Sequence, residues 1–146
     1  MSAATIKDLL SYRVHRLANA LSRGAASRYR REFDVSLMEW RTLALLGGFS
    51  PMALKELSRQ SGLDKAQASR TVSALVTRGL VLREVGREDA REVTLRLSPA
   101  GEVLYTGLMD AARARDELFL GALAPEERRV LEAAIARLTE VARSQS

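Results

Sequence analysis

The run ALKELSRQSGLDKAQASRTVSALVTRGLV, residues 53–81, constrains this chain more than any other stretch. Its apolar residues follow helical steps that break once, at Ser61-Gly62-Leu63. Ala53 to Gln60 fits a short helix with Leu54 and Leu57 inward. Asp64 suits an N-cap, and a second helix should run to about Arg78 with Ala68, Val72, Leu75 and Val76 on its inner face. Gly79 is a C-terminal stop. Two short helices joined by a three- to four-residue turn containing glycine form the helix-turn-helix pattern. Past Gly79 the period drops from near 3.6 to 2. Leu80 and Leu82, then Val93, Leu95 and Leu97, suit the inward positions of two strands, with GREDARE (residues 86–92) as the connecting turn. A hairpin directly after a helix-turn-helix is a winged helix. Its second helix can enter a major groove about 12 Å wide.

The flanks are helical. Ile6, Leu10, Val14, Leu17, Leu21, Ala25 and Tyr29 predict one amphipathic helix from about Thr5 to Glu32. Ser36 and Glu39 make a capping box with Val35 as its hydrophobic staple. The helix it opens should reach Leu46, with Leu37, Trp40, Leu43 and Leu46 inward, and end at Gly47-Gly48. Ser98-Pro99 opens another helix, to about Leu120. Pro125-Glu126-Glu127 opens the last, to about Arg143, with a stripe of Leu131, Ile135 and Leu138. Arg128 and Arg129 fall on its first turn, where cations are disfavoured, so an acidic neighbour is expected. The fold class is therefore mainly α with a small β-hairpin wing. The lobe 36–98 is the winged helix-turn-helix, and 1–33 plus 99–146 form a helical region. The long helices carry apolar stripes that one small lobe cannot cover, so a partner subunit is expected.

Composition narrows the function. The chain has 146 residues, a net charge of +5, no cysteine and one histidine. Disulfides, thiol chemistry and a zinc site of several His or Cys ligands are excluded within one chain. No phosphate-binding glycine loop, nucleophile elbow or metal motif is present, so neither an enzyme nor a cofactor is expected. No apolar run approaches the roughly 18 residues that span a membrane. The first residues carry charges where a signal peptide would be apolar, so a cytoplasmic location is expected. The basic balance favours a polyanion such as double-stranded DNA.

Burying the inner face of the second helix turns Lys65, Ala66, Gln67, Ser69, Arg70 and Ser73 outward. Gln and Arg can bond adenine and guanine edges in two places, and Ala66 can meet a thymine methyl. Lys65 and Thr71 suit phosphate contacts, which position the protein without reading sequence. A winged-helix protein-interaction module without specific DNA binding is the alternative.

The stretch SGLDKAQASRTVSALVTRGLV, followed by Asp89-x-Arg91 and LRLSPAG (residues 95–101), resembles the multiple antibiotic resistance regulator (MarR) family of winged helix-turn-helix transcription factors. The flanking long helices resemble the family too. Ser98 stands where the family usually has Thr, which keeps the cap. The resemblance implies a homodimer whose first and last helices interlock. It implies a repressor of a pseudo-palindromic operator. It also implies that Arg91 enters the minor groove, braced by Asp89, and Arg87 at the same tip can take a phosphate. Members are often released from DNA by a small aromatic or phenolic effector. The polar and aromatic residues placed for such a pocket are Tyr12, His15, Arg16, Trp40 and Arg41. Glu88 and Glu92 have no assigned role.

Overall fold

The computed structural model describes residues 4–86 and 92–146. Its helices are α1 (Leu10–Phe33), α2 (Leu37–Phe49), α3 (Leu54–Ser61), α4 (Lys65–Thr77), α5 (Pro99–Leu120) and α6 (Pro125–Ser144). Three short strands, β1 (Met52–Ala53), β2 (Val81–Val85) and β3 (Val93–Leu97), form an antiparallel sheet in the order β1-β3-β2. The chain packs as two compact units, 1–109 and 110–146.

Several elements differ from the sequence reading, each for a local reason. The first helix does not start at Thr5. Thr5 and Asp8 close their own capping box on a single 3-10 turn, Ile6–Asp8, and Leu9 is extended before α1 begins. α2 runs through Gly47-Gly48 to Phe49 instead of ending there. Gly47 serves a different purpose: a Cβ at this position would overlap the Tyr105 ring of α5. β1 was not foreseen. Met52 pairs with Leu95 and Ala53 with Thr94, so the residues before α3 give β3 a second neighbour.

The strand phase also shifts. Leu80 is buried, but it takes part in the cap that follows α4, where Gly79 has φ +75°. The Gly79 N–H donates to the Val76 carbonyl and the Leu80 N–H to the Leu75 carbonyl, the Schellman closure. β2 therefore begins at Val81. Val81 is buried while Leu82 is exposed, the reverse of a Leu80/Leu82 face. β3 keeps the expected phase, with Leu95 and Leu97 inward.

The core of the first unit is one apolar cluster. Val35, Leu43, Leu46, Leu57, Val72, Leu75, Val81, Leu95 and Leu108 are essentially inaccessible to solvent. Each such side chain contributes roughly 1.5–3 kcal/mol of burial free energy. Tyr29 of α1 is buried with it, its ring 5.2 Å from that of Trp40. In the second unit, Arg128 donates from Nε to the Leu120 carbonyl (2.9 Å), and its Nη2 lies 3.6 Å from Glu117. Arg129 pairs with Glu126. Both cations at this helix start thus have the acidic neighbour that the sequence called for. No helix among the described residues is long and apolar enough to cross a membrane.

Two polar joints fix α4. At its C-terminal end, the buried Ser98 hydroxyl donates to the Gly79 carbonyl (2.6 Å) and accepts from the Gly101 N–H (3.0 Å). The Ser98 N–H donates to the Leu80 carbonyl (3.0 Å). A Cβ on Gly101 would overlap that same carbonyl, so glycine is required for the approach. The second joint is Glu39. One carboxylate oxygen accepts from the Ser36 N–H (2.8 Å) and caps α2, and the other accepts from Arg78 (3.1 Å) at the end of α4.

Ser98→Ala should destabilise the fold by about 1–3 kcal/mol, because the buried Gly79 carbonyl and Gly101 N–H both lose their partner. Ser98→Thr, which keeps the hydroxyl, should stay near wild type in urea unfolding. Glu39→Gln retains a capping amide oxygen but removes the charge facing Arg78. It should lower unfolding stability by about 1 kcal/mol with helix content unchanged by circular dichroism.

Candidate nucleic-acid interface

α3 and α4 are held at their angle by a hydrogen-bonded turn. Ser58 Oγ donates to the Leu63 carbonyl (3.1 Å), Ser61 Oγ donates to the Ser58 carbonyl (3.2 Å), and the Leu63 N–H donates back to Ser61 Oγ (3.3 Å). Gly62 takes the left-handed conformation, φ +74°, that ends α3. Asp64 then caps α4, accepting from the Gln67 N–H (2.8 Å). α3 neutralises its own acid. Arg59 donates twice to Glu56 (2.6 and 3.1 Å) and Gln60 once (2.7 Å). These bonds, Arg59's foremost, hold the Glu56 carboxyl below the usual carboxylate range.

α4 presents its sequence-assigned residues unequally. Lys65, Ala66, Arg70 and Ser73 are exposed, and Gln67 and Ser69 are half-buried. Gln67 closes the capping box, its side-chain oxygen accepting from the Asp64 N–H (3.3 Å). A two-point contact to adenine therefore requires it to give up that bond. Thr71 is the exception among the expected contacts. It is buried, and its hydroxyl donates to the Gln67 carbonyl one turn back (2.8 Å), so its side chain is committed to the helix instead of facing outward. Ala68, Val72 and Leu75 are buried as expected, and Val76 is half-buried.

The wing adds a residue that the sequence reading missed. Arg83 pairs in register with Leu95, so it lies on the face of the sheet that Leu95 turns to the core. Because β2 is an edge strand, this face brings Arg83 to α4, where its Nη2 donates to Ser73 Oγ (3.0 Å). The missed signal was the helix cap at Gly79-Leu80, which resets the strand phase by one residue. On the other face Glu84 pairs with Arg96 (3.0 Å). The hairpin narrows at Gly86, whose N–H donates to the Glu92 carbonyl (2.7 Å). Arg87, Asp89 and Arg91 lie outside the described residues.

The expected effector residues are only partly brought together. Trp40 and Arg41 line a hollow of about 340 Å³ with Leu45 and Gln60, between α2 and α3. Arg41 also reaches Ser22 (3.5 Å). Tyr12, His15 and Arg16 are not part of its wall. Tyr12 is half-buried, Arg16 is exposed, and the exposed His15 bonds Asn19 (3.2 Å).

Residues 33–92 match the model of the MarR family. An uncharacterised HTH-type transcriptional regulator of Staphylococcus aureus is 33% identical over 67 residues. That match covers 46% of this chain, and the chain spans about half the length of such relatives, 46%. The HTH-type transcriptional repressor NicR of Pseudomonas putida is 29% identical over 116 residues, covering 78% of this chain and 73% of NicR. The crystal structure of a MarR/EmrR family transcriptional regulator from Acinetobacter superposes with a TM-score of 0.87 at 26% identity, over 97% of this chain and 99% of that one. Residues 33–92 thus carry the likeness to the MarR family, and the chain is similar along nearly its whole length to a solved MarR/EmrR family transcriptional regulator.

Proposed function

We propose that this protein is a sequence-specific DNA-binding transcriptional regulator, and specifically a repressor that binds a pseudo-palindromic operator as a homodimer. The observation that carries this reading is the outer face of α4. Lys65, Ala66, Arg70 and Ser73 stand exposed on a helix fixed at both ends, with a hairpin alongside it. In this reading Arg70 and Gln67 meet base edges and Lys65 a phosphate. Arg91 enters the minor groove with Asp89 as its brace, since a narrow A·T groove concentrates negative potential where a guanidinium fits. The repressor sign is supported by the likeness to NicR.

The dimer is supported by two uncovered apolar stripes. Leu10, Val14 and Leu17 on α1 are each more than half exposed. On α6, Val130, Leu131, Ile135, Leu138 and Val141 are exposed along one helix of 20 residues. A two-fold axis would set two copies of α4 about one DNA turn apart, roughly 34 Å. A small aromatic or phenolic anion is the proposed effector. The hollow beside Trp40 and Arg41 offers it a ring face and a cation. It acts by preferring a dimer whose helix spacing does not fit DNA.

The test is a mobility-shift assay on DNA from the gene neighbourhood. Specific binding that weakens steeply with salt supports the reading. No binding to any sequence in a genome-wide selection contradicts it and leaves a protein-interaction module. Arg70→Ala should relax base preference at a cost of roughly 1–3 kcal/mol. An unchanged preference removes Arg70 from base readout. Arg91→Ala should weaken operator binding at physiological salt while sedimentation still shows a dimer. Wild-type affinity would remove the wing from the contact.

A further inference from the structure

The exposed arc of α4 has an arginine on each side, and neither belongs to the helix. On one side is Arg83 of β2, donating to Ser73. On the other is Arg30 of α1, which lines a hollow of about 330 Å³ together with Gln67, Arg70 and Ala74 of α4. Helical spacing of about 100° per residue puts Ser73 roughly 120° around the axis from Gln67, with Ala66 and Arg70 between them. The face assigned to the bases is thus framed by two cations.

We propose that Arg83 and Arg30 bracket α4, each holding a phosphate on one of the two DNA strands that border the major groove. This rests on the DNA-binding reading above and adds two contacts to it. A helix with its side chains is about 10–12 Å across, close to the width of the groove, so groups at its flanks meet the sugar-phosphate backbones and not the bases. The charge state of each arginine suits the role. Arg83 has no carboxylate within 4.0 Å among the described residues, and its bond to Ser73 leaves most of its five N–H donors free. That bond also steers the guanidinium toward the outer face of α4. Arg30 lies 3.3 Å from Asp34, but both side chains are more than half exposed. Such a surface pair is weak and gives way to a phosphate. Asp34 also has Arg78 at 3.8 Å, so it keeps a cation when Arg30 turns away. Three other arginines nearby are already committed: Arg59 to Glu56, Arg78 to Glu39 and Arg96 to Glu84.

The experiment measures binding to a duplex selected by the wild-type protein, between 50 and 200 mM salt, for Arg83→Gln and Arg30→Gln. Each lost phosphate contact should make the slope of log K against log salt shallower by about 0.9, hence by about 1.8 for a dimer on two half-sites. The ranking of single-base variants of the site should not change, and melting temperatures should match wild type. Arg83→Lys, which keeps the charge, should keep the wild-type slope. A wild-type slope in either glutamine variant overturns the bracket, whatever happens to affinity. A changed base ranking overturns it as well, by making the residue a base reader. If the wild-type protein selects no duplex at all, it is the DNA-binding reading itself that fails.

Discussion

The buried hydroxyl of Ser98 is where the functional half of the molecule is tied together. It bonds the carbonyl that ends α4 and the amide that begins α5, while its own backbone N–H closes the base of the hairpin. Gly101 permits this by leaving room for the Leu80 carbonyl. Three elements with different periods therefore leave one point in fixed directions. The apolar cluster supplies most of the free energy of folding, but burial is non-directional. The hydrogen bonds at Ser98, with the Glu39–Arg78 contact at the same end of α4, give the helix and the wing a defined relation. A DNA-reading helix needs that definition, since a base contact depends on placing a donor at hydrogen-bonding distance.

Charge is sorted in the same region. The segment 51–98 holds nine basic and six acidic residues, a modest excess for a polyanion binder. The structure sharpens it. Glu56, Glu39 and Glu84 each take an arginine, which removes their repulsion of phosphate from the surface. Lys55, Lys65, Arg70 and Arg83 have no carboxylate within ion-pair distance among the described residues. The cations left unpaired thus lie on and beside α4.

Much of this was legible in the sequence because the signals are local and agree with one another. Asp64 with Gln67, Ser36 with Glu39, Gly62, Gly79 and Ser98 mark ends of elements through short-range backbone chemistry, and the structure places caps or turns at all of them. Where the structure departs from the sequence reading, the causes are tertiary contacts and local backbone bonds. Gly47 looks like a stop until Tyr105 is seen against it. β1 is two residues long and exists only because β3 pairs with it. Arg83 could not be assigned while the strand phase was counted from Leu80. Thr71 looked like a phosphate ligand until its hydroxyl was found on the Gln67 carbonyl. Arg91 and Asp89 took their roles from the resemblance and Arg87 from its place in the turn, and all three lie outside the described residues.

In the proposed function, two copies of α4, each held by its Ser98 joint, read one symmetric DNA site. A hydroxyl-radical footprint of the purified protein on a selected duplex tests this most directly. The expected result is two protected segments related by a two-fold axis, their centres about one helical turn or roughly 10 base pairs apart. A single asymmetric segment, or uniform cleavage at protein concentrations that saturate other assays, would contradict it.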